Sequence, residues 1–162
     1  MLNKNKIKFI ADDMLGRLGK WLRILGFDVL YSRSINNNDL ISEANSTGRI
    51  LLTRDTKIAF SEKAERCILI VSDNYREQLK QLFRLLDLEI DRQAIFSRCL
   101  ICNELLKTTD KENVKGRVPP FVFETAGEFM KCEKCDKVYW RGTHIENIEK
   151  VISELAKSSD KK

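Results

Sequence analysis

Two continuous apolar runs, at 50–53 and 68–71, constrain the fold of the first ninety residues most strongly. Runs without polar alternation are typical of strands that are buried on both faces, as in a parallel sheet covered by helices. Further strands are predicted at 7–11 and 28–31, and amphipathic helices at 14–26, 40–45 and 75–86. This alternation predicts an α/β fold with a parallel sheet and right-handed crossovers.

The alternating pattern stops near residue 87, which divides the chain into predicted parts. These are an α/β domain at 1–96, a cysteine-bearing domain at 97–144, and a helix with a charged tail at 145–162. Within the second part, short hairpin strands are predicted at 118–123 and 137–140.

The composition is that of a soluble globular protein, with 43% hydrophobic and 33% charged residues. No apolar run reaches the roughly 18 residues of a membrane span, and the first residues lack the apolar region of a signal peptide. We therefore predict a cytoplasmic protein without a membrane partner. The 29 Lys+Arg against 24 Asp+Glu give a net charge of +5, which weakly favours a nucleic-acid partner.

Four of the five cysteines form two C-x-x-C pairs, Cys99 with Cys102 and Cys132 with Cys135. Two such pairs can supply the four thiolates of a closed tetrahedral Zn²⁺ site. The alternatives are an iron–sulfur cluster, a pair of redox disulfides or a core without metal. The sequence around the pairs lacks the strand and helix of a thioredoxin-like redox motif, so we predict structural zinc.

Carboxylates follow three of the predicted strands: Asp12 after the first, Asp55 after the third and Asp73 after the fourth. Asp39 begins the helix that precedes the third strand. Because ligands bind at the carboxyl ends of parallel strands, these acids are predicted to share Mg²⁺ or Mn²⁺, hard ions that prefer oxygen ligands. Such a site suits phosphodiester hydrolysis. The alternative for each aspartate alone is a helix N-cap.

Basic residues recur every third position of the first helix, at Arg17, Lys20 and Arg23, and Arg54 adjoins Asp55. Backbone phosphates of RNA can bind along such a face, since nonspecific binding consists mostly of phosphate contacts. The alternative is an ordinary solvated helix face. For Arg54, an ion pair with Asp55 is equally open.

Three motifs together resemble the Mut-seven C-terminal RNase domain family, a branch of the PIN-like ribonucleases. They lie at 12–28, at 48–55, and in the cysteine pairs followed by 138–144. The resemblance implies a PIN-like parallel sheet flanked by helices, with a small C-terminal zinc ribbon. It also implies metal-dependent cleavage of RNA, for which we predict endonucleolytic action, with catalytic acids at Asp12 and Asp55.

One position departs from the family pattern, because Asn37 lies where the family places an aspartate near the start of the second helix. Asp39, two residues later, is the candidate substitute. This departure keeps two other functions open. One is a noncatalytic RNA-binding protein, and the other is a module whose zinc ribbon binds a protein partner.

Overall fold

The computed structural model describes residues 7–31, 33–142 and 144–159. Its larger sheet is parallel and has the strand order β2-β1-β3-β4. The strands are β1 (Lys8–Ala11), β2 (Asp28–Tyr31), β3 (Ile50–Thr53) and β4 (Cys67–Leu69). The predicted parallel α/β class is therefore confirmed. The last strand ends at Leu69 rather than at residue 71, and the Val71 side chain is 74% exposed.

Helices cover both faces of this sheet. In chain order the helices are α1 (Gly16–Ile24), α2 (Asn37–Thr47), α3 (Thr56–Ala59), α4 (Tyr75–Leu86), α5 (Pro120–Thr125) and α6 (Ile145–Ser159). Of these, α5 packs in a separate core of the cysteine-bearing part and not on this sheet. Successive residues of a strand point to opposite faces. Phe9 and Leu52 accordingly pack with α1, α4 and α6, whereas Ile10 and Leu51 pack with α2 and α3.

Local capping explains where two helices differ from prediction. The helix predicted at 14–26 begins with a 3₁₀ turn, Asp13–Leu15, because the Asp12 side chain accepts a hydrogen bond from the Met14 N–H. The helix predicted at 40–45 is longer. It begins after Asn36, whose side chain accepts from the Asp39 N–H, and it ends at Gly48 in the left-handed conformation.

The cysteine-bearing part contains an antiparallel sheet in the order β5-β6-β7. Its strands are β5 (Lys107–Thr109), β6 (Phe129–Lys131) and β7 (Val138–Trp140). The strand predicted at 137–140 is confirmed as β7, but the strand predicted at 118–123 is wrong. That segment contains the start of α5, with Pro119 at the N-cap and Pro120 at the first helical position, where a missing N–H costs nothing.

Gly26 ends the first helix in a conformation that only glycine adopts easily, with φ +93°. A Cβ there would lie 2.5 Å from the Ala94 carbonyl oxygen. We expect Gly26→Ala to lower the free energy of unfolding by more than about 1 kcal/mol, measured by urea denaturation. Gly127→Ala is the matched control, since a Cβ at Gly127 would meet nothing within 4 Å. Equal stability of the two variants would contradict the prediction.

Candidate active site and cysteine cluster

Asp12 lies at the carboxyl end of β1 and is buried, with 4% of its surface exposed. Its Oδ2 accepts hydrogen bonds from the Thr53 hydroxyl at 2.5 Å and the Arg54 N–H at 2.9 Å. Its Oδ1 accepts one from the Met14 N–H at 2.9 Å. Three donors therefore hold the Asp12 carboxylate in one orientation.

The Thr53 hydroxyl joins Asp12 to the next strand end. It donates to Asp12 and accepts a hydrogen bond of 3.0 Å from the Asp55 N–H. The Asp55 Oδ1 in turn accepts a hydrogen bond of 2.8 Å from the Lys57 N–H. Asp55 is therefore the N-cap of α3, which is the alternative considered for it from the sequence. The structure thus brings Asp12 and Asp55 to adjacent strand ends of one sheet edge.

The other two predicted acids are placed differently. Asp73 is exposed and lines a cleft of about 340 Å³ together with Met14, Arg17 and Tyr75, while Asn74 rather than Asp73 caps α4. Asp39 is exposed in the first turn of α2, where its Oδ2 accepts a hydrogen bond of 2.6 Å from the Asn36 side chain. Within the described ranges, no three carboxylates gather closely enough to share one ion.

Two of the three basic residues predicted on α1, Arg17 and Lys20, are exposed. The Arg17 guanidinium lies over the ring of Tyr75, 4.1 Å from the ring centroid. The same ring stacks on Trp21, with 5.3 Å between the ring centroids. A cation–π contact of this kind orients the guanidinium beside the cleft. Tyr75 could not be predicted from sequence as a partner of Arg17, since a tyrosine at a helix start carries no signal for this role. Arg54 is half-buried beside Asp55.

The prediction that Arg23 belongs to the same exposed face is wrong. Arg23 is 5% exposed, and its guanidinium donates to the carbonyl oxygens of Val29, Leu100 and Ile101 at 2.8–3.1 Å. Burial lowers the pKa of Arg23, although nearby acidic groups oppose that shift. Each three-residue step falls about 60° short of a helical turn, so Arg23 points about 120° away from Arg17.

The four predicted metal-binding cysteines form one cluster. Their Sγ atoms all lie within 4.8 Å of one another, and they are the one group of three or more candidate metal ligands among the residues that the structure describes. In a tetrahedral zinc site with Zn–S bonds of about 2.3 Å, neighbouring sulfurs lie about 3.8 Å apart. The Cys99–Cys135 and Cys102–Cys132 pairs, each at 3.4 Å, are close to that spacing. The cluster can therefore hold zinc.

Equivalent tight turns build the two cysteine pairs. Asn103 and Asp136 directly follow Cys102 and Cys135, and both adopt the left-handed conformation that asparagine and aspartate tolerate best, with φ 70° and 60°. In each turn, the N–H of this residue donates to the carbonyl oxygen of the first cysteine, at 3.0 and 2.9 Å. The turns direct both thiols of a pair toward the same point.

Hydrogen bonds favour a thiolate at Cys99. Burial raises its pKa, but the Tyr139 hydroxyl at 3.1 Å and the N–H groups of Cys102 and Ile101 outweigh burial and lower the pKa to about 6. Burial raises the pKa of Cys67 to about 11, and this cysteine of β4 is not part of the cluster. Within the cluster, burial also raises the pKa of Cys102, so the lowered pKa is particular to Cys99 and is not shared by all four thiols.

The first cysteine pair is fixed to the edge strand β2 of the parallel sheet. The Asn103 side chain is buried, accepts a hydrogen bond of 3.0 Å from the Val29 N–H, and donates one of 2.8 Å to Asp28. Asp28 also forms a 2.7 Å salt bridge with Arg49. Burial raises the pKa of Asp28, but its bonds to Arg49 and Asn103 lower it more. This network could not be predicted from sequence, because its partners are far apart along the chain.

No helix of the described ranges combines the length and the apolar character that crossing a membrane requires. In comparisons with known proteins, residues 7–152 of the 162 match the family model described as the Mut7-C RNAse domain. No curated protein and no solved structure matches the chain. The description of the family indicates a nuclease with RNA as its substrate. Since the match covers nearly the whole chain and confirms the resemblance seen in its motifs, the chain belongs to the Mut7-C RNAse domain family.

Proposed function

We propose that the chain is a PIN-type endoribonuclease of the cytoplasm that depends on Mg²⁺ or Mn²⁺ and carries a structural Zn²⁺ on its four cysteines. The observation that carries the proposal is the pair Asp12 and Asp55. They lie at the carboxyl ends of the adjacent strands β1 and β3 and are joined through the Thr53 hydroxyl. Ligand sites of parallel sheets are found at this edge.

The donor set fits a hard divalent cation. Each carboxylate oxygen has two lone pairs, and the Asp12 Oδ1 accepts a single N–H, from Met14, within the described chain. Mg²⁺ is commonly held by one or two carboxylates together with waters and substrate phosphate, so a pair of aspartates is sufficient. Two further candidate ligands of the ion are Asp73, which lines the adjoining cleft, and Asp39, which lies on α2.

When bound, such an ion neutralises charge on the phosphodiester and lowers the pKa of a water. The role of the chain itself is to position that chemistry. Thr53 and the Arg54 N–H hold the Asp12 carboxylate in place. Arg17 and Lys20, exposed on α1, bind RNA phosphates beside the site, and Arg54 adds a third cation next to Asp55.

Cleavage of end-labelled RNA, single-stranded and structured, tests the proposal in Mg²⁺, in Mn²⁺ and with neither ion. We expect internal cuts that require the divalent ion. The double variant Asp12→Asn/Asp55→Asn should cleave at least about 100-fold more slowly, since loss of only the residues that hydrogen-bond metal ligands already costs about 10–100-fold in metal affinity or activity. Asp13→Asn is the matched control, because Asp13 is exposed and adjoins Asp12 without belonging to the pair.

Three results would contradict the proposal. Equal cleavage by the double variant would identify a contaminating nuclease. Cleavage that proceeds without added divalent ion would remove the metal dependence. Products shortened only from one end would indicate an exonuclease and not an endonuclease. Circular dichroism and zinc content of each variant show that the fold is retained.

A noncatalytic RNA-binding protein is the second candidate. It is favoured by the absence of a three-carboxylate group among the residues that the structure describes, and by Asn37 at the position of a family acid. RNA affinity that is independent of Mg²⁺ and Mn²⁺, without cleavage and unchanged by Asp55→Asn, would establish it. A protein-binding role for the ribbon would instead show no salt-dependent RNA affinity.

A further inference from the structure

A groove of about 740 Å³ lies between α5, β7 and the beginning of α6, and the proposed cleavage does not use it. Its lining includes four aromatic side chains, Phe96, Phe121, Tyr139 and Trp140, and three cations, Arg117, Lys137 and Arg141. The volume falls within the range of small-ligand sites, about 300–1,000 Å³. The groove is thus large enough for a nucleobase.

The aromatic surfaces are presented in different ways. Side chains of β7 alternate, so that Tyr139 faces Cys99 while Trp140 lies on the opposite face and packs against the small core of the antiparallel sheet. This packing fixes the half-buried indole ring. Phe121, in the first turn of α5, is 75% exposed, although a large apolar side chain is normally buried. Both rings are therefore available to a flat ligand.

The charges of the groove favour an anionic ligand. Its lining contains three Lys and Arg residues against one carboxylate, Asp136, which leaves an excess of two positive charges. The negative charge of Asp136 is already balanced by salt bridges of 2.7 Å to Arg117 and to Lys131. Lys137 and Arg141 are exposed, and no ion pair within the described part of the chain engages them.

We propose that this groove binds an unstacked nucleobase of single-stranded RNA. Trp140 and Phe121 provide the stacking surfaces, while Lys137 and Arg141 pair with the flanking phosphates. Single-strand binding sites combine these two elements, aromatic platforms and a cationic track. An apolar peptide would leave the two free cations without partners. The proposal deepens the proposed function, since it takes RNA as the ligand and gives the cysteine-bearing part a role in holding it.

Binding of a fluorescein-labelled uridine oligonucleotide to the zinc-loaded full chain, without Mg²⁺ or Mn²⁺, tests the groove separately from cleavage. By fluorescence anisotropy, Phe121→Ala and Trp140→Leu should each weaken binding roughly five- to hundredfold, the range found for loss of one base–aromatic stack. Leu85→Ala is the matched control, because Leu85 is also exposed, at 60%, but lies on α4. Its affinity should equal that of the wild type.

Two further readouts separate stacking from a general loss of structure. Unlabelled uridine oligonucleotide should quench tryptophan fluorescence in Trp21→Phe, which retains Trp140, and not in Trp140→Phe. The variant Lys137→Gln/Arg141→Gln should lower the log–log salt slope of binding by about 1.4, or 0.7 per phosphate contact. Lys150→Gln/Lys157→Gln, which removes the same charge from exposed positions of α6, should keep the wild-type slope.

The outcomes distinguish the groove from the proposed nuclease. If the wild type binds and cleaves RNA while both aromatic variants retain full affinity, the groove proposal is overturned and the nuclease stands. If the wild type binds no RNA, both are overturned. If Asp12→Asn/Asp55→Asn abolishes cleavage but leaves the Trp140 quenching intact, the groove is confirmed as a separate binding site.

Discussion

Loss of metal from the four-cysteine site is expected to unfold the antiparallel sheet and also to destabilise the parallel one. Structural zinc contributes about 10–16 kcal/mol of apparent binding free energy in small zinc-binding peptides, and that energy is folding energy. Here Cys99 and Cys132 are fully buried, so an apo form would leave their thiols without the ligand that organises both turns. Cys132→Ser should therefore contain no zinc and should lose the ribbon.

The effect should reach the parallel sheet because the first cysteine turn covers its edge strand. Asn103 bonds to the Val29 N–H, and Arg23 connects the Val29 carbonyl to those of Leu100 and Ile101. For Cys132→Ser we expect a lower thermal midpoint of the entire chain than for the wild type. We also expect faster hydrogen exchange of the Val29 amide. Cys67→Ser is the matched control, because Cys67 lies outside the cluster.

Either of two results would refute this prediction. One is wild-type protein that holds less than one zinc per chain and keeps the thermal midpoint of the zinc-loaded protein. The other is Cys132→Ser protein that lacks zinc while its Val29 amide stays fully protected. The second result would show that the protection of strand β2 does not depend on the metal site.

Arg23→Met is expected to cost about 3–5 kcal/mol of unfolding free energy. Three carbonyl oxygens lose their donor, and each buried polar group left unsatisfied costs about 1–3 kcal/mol. Methionine is apolar and of similar length, so it retains most of the packing of the arginine stem while supplying no hydrogen bond. The energetic loss therefore reports the hydrogen bonds more than the volume.

Urea denaturation, with zinc release followed by a colorimetric chelator, measures this effect. Arg84→Met is the matched control, since Arg84 is exposed on α4 and its Nε donates a 3.4 Å hydrogen bond to the Lys80 carbonyl oxygen of the same helix. It should change stability by less than about 0.5 kcal/mol. Faster zinc release in Arg23→Met alone would show that the arginine clamps the cysteine turn. A variant as stable as Arg84→Met would exclude that role.

Features that depend on neighbouring residues were predicted well from sequence. The apolar runs at β1 and β3, the helix Tyr75–Leu86 and the two cysteine pairs follow from periodicity and from i, i+3 spacing, which local geometry fixes. The error at 118–123 has a local cause too. Apolar residues flanking Pro119 and Pro120 resemble a strand, yet the two prolines favour a helix start.

The acidic site was predictable only in part. Chain order and strand polarity place Asp12 and Asp55 at one edge, because carboxyl ends of parallel strands meet there. They do not specify which hydrogen bonds surround each carboxylate. The Thr53 hydroxyl bridge, and the exposure of Asp39 and Asp73, depend on how the loops after the strands pack.

The sequence by itself determined the α/β class, the order of the four parallel strands and of the longer helices between them, and the four cysteines as a metal-binding set. Only the tertiary structure decided that Arg23 is a buried clamp and not an RNA contact, since its partners Leu100 and Ile101 are 77 and 78 residues away. The same holds for the groove between Phe121 and Trp140. Periodicity records which face of a helix or strand is apolar, whereas burial of a polar side chain depends on which distant segment packs over it.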